Sequence, residues 1–185
     1  MEDHEIIELF LERSEQAIAG LHSKYGKRCM QIAMNILNDS LDAEECVNDT
    51  YLAVWNTIPP QKPNPLLAYI CRIVRNLSIK RYHANKAMKR NSHYDVALEE
   101  LEECIRAKET VESEVAVNEL VDAINHFLGA LSIENRKIFV RRYWFADSIE
   151  DIAVMFNTNK SIISLRLFRI RIGLKKYLEK EGIWI

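Results

Sequence analysis

Residues 148–176 read SIEDIAVMFNTNKSIISLRLFRIRIGLKK, and the spacing of their apolar side chains predicts two short helices joined by a tight turn. Ile149, Ile152, Ala153 and Phe156 follow an i, i+3, i+4, i+7 rhythm, with Ser148 placed as N-cap and Glu150 and Asp151 near the positive helix end. Asn157 suits the left-handed conformation that closes a helix, and Asn159 suits the cap of the next. Ile163, Leu167, Ile170, Leu174 and Leu178 then form a second buried stripe. Lys160, Arg166, Arg169, Arg171, Lys175 and Lys176 surround that stripe, so the second helix carries cations suited to phosphates, and its early residues are placed to reach base edges. The pattern is that of a helix-turn-helix; a surface helical hairpin with solvated arginines is the bland alternative.

Projection of the second helix at about 100° per residue puts Ser161, Leu165, Phe168 and Ile172 opposite the buried stripe. A helix apolar on both sides is normally buried on both sides. The expectation is that this face packs against the N-terminal domain or an inhibitor in the free protein, with thymine methyl groups as a further apolar contact. Rotation of the helix to bring Phe168 into the core is the alternative.

Working outward, the 185 residues include five Gly and four Pro, and long 3.6-residue periodicities are broken by Ser, Asp and Asn. The expected fold class is all-α: two helical domains joined by a linker, the C-terminal one holding the helix-turn-helix. The expected bounds are 1–91, an acidic linker at 92–114, and 115–185. Cys29, Cys46, Cys71 and Cys104 lack C-x-x-C spacing and read as reduced structural residues. The five histidines lack H-E-x-x-H, so neither metal nor cofactor is expected. An acidic N-terminus and the lack of a long apolar run argue against a signal peptide or membrane insertion and for a cytoplasmic protein.

The net charge of −2 conceals alternation. Residues 1–60 carry 11 acids and 4 bases, 61–95 carry 1 and 8, 96–125 carry 9 and 2, and 126–185 carry 6 and 11. Two basic segments separated by an acidic one suggest two nucleic-acid contacts on one chain.

Residues 3–38 read as two or three helices of packing scaffold. After Asn38, Asp39 and Ser40, residues 41–57 form a helix with Val47, Tyr51, Val54 and Trp55 inside and Asp42, Glu44, Glu45, Asn48 and Asp49 outside. Such an acidic face repels DNA and is either solvated or docked on a basic protein. All four prolines lie in residues 56–65, NTIPPQKPNP, which reads as a stiff loop. Helix resumes at Leu66 and is expected to run to Asn91, with Leu66, Ile70, Ile73, Val74 and Leu77 in the core. Arg72, Arg75, Asn76, Lys80, Arg81, Tyr82 and His83 interleave cations and aromatic rings, which suits phosphates and unstacked bases. Residues 92–113 read as a linker with fractional helix, 115–127 as an amphipathic helix, and 131–144 as a helix capped by Ser132.

Together these segments resemble a bacterial RNA polymerase sigma factor of the extracytoplasmic-function (ECF) group of the sigma-70 family. DAEECVNDTYLAVW at 42–55 is similar to the family's D-A-E-D-L-V-Q-E-x-F-L-x-x-W. The resemblance implies that Asp42, Glu45, Asn48 and Asp49 contact core RNA polymerase. YICRIVRNL at 69–77 is similar to W-L-Y-R-I-A-R-N-L and implies binding of the promoter minus-10 element. The residues that follow from it are Tyr69, Arg72, Arg75, Asn76 and Lys80, with Gln61, Lys62 and Asn64 in the preceding loop. LSIENRKIFVRRYW at 131–144 with the helix-turn-helix is similar to the C-terminal pattern and implies minus-35 binding through Asn159, Lys160, Ser161, Ser164, Arg166, Arg169 and Arg171. It further implies that the linker threads a polymerase channel and that an anti-sigma factor occludes the polymerase-binding surfaces. Tyr69 in place of Trp, Cys71 in place of Tyr, Leu131-Ser132 in place of Leu-Pro, and the proline-rich loop depart from the family pattern.

Two other functions stand beside this one. A helix-turn-helix regulator would bind an operator as a dimer, and a helical adaptor would bind proteins and no DNA. An enzyme is not indicated, because no nucleophile with its base, paired carboxylates or phosphate loop is present.

Overall fold

The computed structural model describes residues 1–85, 92–103, 105 and 114–183; every described regular element is helical, as the periodicities predict. In chain order these are α1 (Asp3–Leu11), α2 (Gln16–Leu37), α3 (Ser40–Thr57), α4 (Leu66–Ala84), α5 (His93–Glu102), α6 (Glu114–Ala130), α7 (Ile133–Phe139), a π-helical turn (Val140–Trp144), α8 (Ile149–Met155) and α9 (Lys160–Lys180). They form two compact units, Met1–Tyr94 and Asp95–Ile185. Among the described residues no helix is long and apolar enough to cross a membrane.

In the first unit α2, α3 and α4 pack mutually and α1 lies on α2. Asn38 turns the chain between α2 and α3 with a φ of 51°, and the Asp39 carboxylate caps α3 by accepting from the Asp42 amide at 2.9 Å. The core joins Leu21, Ile32 and Ile36 of α2 to Ala43, Val47 and Val54 of α3 and to Leu66, Ile70 and Val74 of α4. Gly26 stands where an added Cβ would come within 3.0 Å of His22 Nδ1 and 3.1 Å of the Tyr51 hydroxyl. The helix-propensity cost of this glycine is thus the condition for close approach of α2 and α3.

Cys29, Cys46 and Cys71 are buried, whereas Cys104 lies outside the described residues. Burial pushes the Cys29 thiol up to about 12, so it is packed as an apolar group. α4 ends at Ala84 with Asn85 closing the last turn, short of the expected Asn91; residues 86–91 are outside the described set. Ile73 and Leu77, expected in the core, are half-buried, and Ser78 is buried in their stead by donating its hydroxyl to the Val74 carbonyl at 2.8 Å.

The second unit differs most from expectation at its start. The acidic segment 92–114 contains α5, and Ala97, Leu101 and Ile105 pack into the same core as α6 to α9. Alternation of acidic with apolar positions at i, i+4 makes α5 amphipathic, and the acidic composition concealed this. The expected helix over 131–144 instead passes into the π turn, after which Ala146 takes a φ of 53°. A π turn shifts the helical phase by a residue, so that the consecutive Arg142 and Tyr143 are both buried.

Candidate nucleic-acid and polymerase surfaces

α3 presents Glu44, Glu45, Asn48 and Asp49 outward, because Ala43, Val47, Thr50 and Val54 take the inner positions. Two of the expected polymerase contacts are already engaged within the unit. Arg81 of α4 donates to Asp42 at 3.3 Å and to Glu45 at 2.8 Å, and the Asn85 amide donates to Asp42 at 3.1 Å. Asn48 and Asp49 remain on the outer face, beside the exposed Leu52. Ile18, His22, Asn48, Tyr51, Leu52 and Trp55 line a surface groove of about 840 Å³ between α2 and α3. Leu52, which adds an aliphatic wall to that groove, was not singled out from sequence.

On α4, Arg72, Asn76 and Lys80 are all exposed, and their four-residue spacing stacks them in one stripe away from Leu66, Ile70 and Val74. Tyr69 begins the stripe: its hydroxyl donates to Thr57 Oγ1 at 2.7 Å, and the Arg72 guanidinium lies 5.7 Å from its ring centre. Arg75 is set apart, half-buried, and its burial lowers its pKa while nearby Tyr94 opposes the shift. Gln61, Lys62 and Asn64 are exposed in the proline-rich loop, and Lys62 and Asn64 line a cleft of about 550 Å³ with Asp3 and His4 of α1.

The helix-turn-helix is built as its caps predict. The Ser148 hydroxyl accepts from the Asp151 amide at 3.0 Å, Asn157 has a φ of 48°, and the Asn159 side chain accepts from the Ile162 amide at 3.0 Å. Ile152 and Ala153 of α8 pack with Ile163, Leu167, Ile170 and Leu174 of α9. Residues expected at a minus-35 duplex fall into two groups. Ser161, Ser164 and Arg169 are exposed without intervening elements, whereas Lys160 pairs with Glu150 and Arg166 with Glu134 at 2.9 Å, both pairs at the surface. Asn159 is used as a cap.

Arg171 sits differently from the expected DNA-facing position. It donates to Glu100 at 3.1 Å and to the Tyr143 hydroxyl at 2.9 Å. Glu100 also accepts from Arg142 at 2.7 and 3.3 Å and from Tyr143 at 3.0 Å, and the Arg142 Nη1 donates to the Asp147 carbonyl at 3.1 Å. Burial raises the Tyr143 pKa, as does the Glu100 charge, while Arg171 opposes the shift. Four charged or polar groups thereby tie α5, the π turn and α9 together. Sequence reading missed the cluster because Glu100 and Arg171 are 71 residues apart.

The outer face of α9 is apolar. Ile162, Leu165, Phe168 and Ile172 are 41%, 46%, 51% and 40% exposed. The projected rotation of α9 is thus the observed one, and Phe168 is outside the core.

Residues 21–88 match the Sigma-70 region 2 family, a span that begins in α2 and takes in all of α3 and α4. No curated protein matches the chain. The solved structure of CnrH in complex with the cytosolic domain of CnrY is similar over 96% of this chain and 97% of that one, at 19% identity and a TM-score of 0.45. Those values are too low to carry an arrangement of units or a partner over to this chain. The matched span contains both the acidic face of α3 and the stripe of α4, so the likeness to Sigma-70 region 2 falls on these helices of the first unit.

Proposed function

We propose that this protein is a two-domain sigma factor of the ECF type, which binds core RNA polymerase and directs initiation at promoters with minus-10 and minus-35 elements. The observation that carries the reading is the region 2 match at residues 21–88, which falls on the helices bearing the acidic face and the cation stripe. Asn48 and Leu52, which line the groove between α2 and α3, form the polymerase-docking surface with the exposed Asp49, and Asp42 and Glu45 support it through Arg81. Tyr69, Arg72, Asn76 and Lys80 face the minus-10 strand, with Gln61, Lys62 and Asn64 in the adjoining loop. This order suits an opening duplex: cations hold phosphates while ring and amide groups meet unstacked bases.

α9 enters the major groove at minus 35, with Ser161, Ser164 and Arg169 toward bases and Lys160 and Arg166 toward phosphates. Joining two modest contacts through one chain makes the second effectively intramolecular, so neither unit needs tight affinity alone. An anti-sigma factor that covers the docking surface is the corresponding inhibitor. Run-off transcription with core polymerase on genomic fragments tests the proposal. Discrete transcripts that require the added protein are expected; specific operator binding by a dimer without polymerase, or no dependence of transcription on the protein, refutes it.

A further inference from the structure

Within the reading of α9 as the minus-35 helix, its outer face requires a particular kind of recognition. Ile162, Leu165 and Phe168 are 41%, 46% and 51% exposed, while Ile163, Leu167 and Ile170 opposite them are buried. On that outer side the hydrogen-bonding groups are the hydroxyls of Ser161 and Ser164 and the guanidinium of Arg169. A base edge in the major groove offers donors and acceptors at every pair and one kind of apolar group, the C5-methyl of thymine. Large apolar side chains opposite a donor or acceptor would desolvate it without replacing its hydrogen bond. Opposite a methyl they bury apolar area on both sides.

The reach is right as well. Ser161 to Phe168 spans about 11 Å at the helical rise, close to the roughly 12 Å width of the groove, whereas Ile172 lies a turn further on. Lys160 and Arg169 on the same helix favour a polyanion over an apolar protein surface as the occupant, and the positive N-terminal end of α9 adds to their field.

We propose that Leu165 and Phe168 read thymine C5-methyl groups, so that the minus-35 element of this protein is specified at those steps by methyls and not by hydrogen bonds. The inference rests on the sigma-factor reading, and its test separates the two. Minus-35 sequences are selected from random duplexes with the full chain and core polymerase, and each selected thymine is then replaced by deoxyuridine, which lacks only the methyl.

The expected result is adjacent thymines on one strand or the other, with a loss of about threefold in affinity for each methyl removed. In L165S and F168S, checked for unchanged thermal unfolding, the contrast between thymine and deoxyuridine should disappear at one position each. Specific transcription that is indifferent to deoxyuridine overturns this inference alone. So does loss of a protein partner by L165S or F168S with the contrast intact, which would assign the face to a protein contact. Absence of any promoter-specific transcription overturns the sigma-factor reading and this inference with it.

Discussion

α4 and α9 are both cation-bearing helices that were expected to meet DNA, and each commits an arginine to its own fold. In α4 it is Arg81, held by Asp42 and Glu45 of α3; in α9 it is Arg171, held by Glu100 of α5. The acids come in both cases from the neighbouring negative block of the chain. What remains outward differs: α4 shows a polar stripe of Arg72, Asn76 and Lys80, whereas α9 shows Ile162, Leu165 and Phe168. The polar stripe suits a backbone and bases that move as the duplex opens. The apolar one suits a fixed groove, in which a methyl stays where the helix meets it.

The largest expected effect breaks the pairing on the α9 side. Arg142 is 3% exposed, and Glu100→Ala would leave it without its carboxylate. Loss of one partner of a buried ion pair costs about 3 kcal/mol or more. Calorimetry should therefore show the C-terminal unit melting earlier with the N-terminal unit unchanged, and an unaltered thermogram would remove the cluster from any structural role.

On the α3 side, the comparison separates neighbours that the sequence treats alike. Asp49→Lys should weaken pull-down of core polymerase at least tenfold, about 1.4 kcal/mol, with no change in melting. Glu45→Lys should weaken it too, but also destabilise the unit by about 1 kcal/mol, because the new lysine faces Arg81. Equal melting of the two variants would contradict the assigned division between docking and support.

A third pair of variants sharpens the contrast between the helices directly. Arg72→Ala with Lys80→Ala should reduce permanganate reactivity of thymines in the melted region while leaving minus-35 affinity nearly intact. Arg169→Ala should lower affinity for minus-35 duplex by several-fold and relax sequence preference at the base it faces. Normal bubble reactivity in the double variant would dissociate the α4 stripe from minus-10 opening.

The smallest effect is a pH dependence at α1, where Asp3 accepts from Lys24 at 2.7 Å and from the Tyr25 hydroxyl at 2.5 Å. Burial raises the Asp3 pKa, but the hydrogen bonds from Lys24 and Tyr25 outweigh it and hold the carboxyl below its ordinary value. A depressed folded-state pKa gives stabilisation that is present above the unfolded value and lost as pH falls through the folded one. The stability difference between wild type and Asp3→Asn should thus shrink below about pH 4. Its size is a few tenths of a kcal/mol, since the group is partly exposed; a difference constant from pH 7 to pH 3 would contradict it.

Legibility tracked the range of the interaction. Ser148, Asn157 and Asn159 were placed correctly because a cap and a left-handed turn act over three or four residues, all visible in one short stretch. The rotation of α9 was legible for the same reason, since one periodic stripe sets the phase of the whole helix. α5 was obscured by composition: its acids suggested a solvated linker, although Ala97 and Leu101 recur at helical spacing. An arginine of the second block pairing with an acid of the first was foreseeable, but the residue was not. Arg81 meets Asp42 and Glu45 only through the packing of α3 against α4.

By itself the sequence determined the helical class, the caps of the helix-turn-helix, the apolar stripes and the alternation of charge, because each follows from local periodicity or from side chains a few residues apart. Only the tertiary structure decided which charges are spent. The crossing of α3 with α4 pairs Arg81 with Asp42 and Glu45, and the π turn brings Arg142 and Tyr143 together inside the C-terminal unit. Glu100 and Arg171 meet across 71 residues of chain. A contact at such separation depends on the packing of whole helices, and no local pattern of residues encodes it.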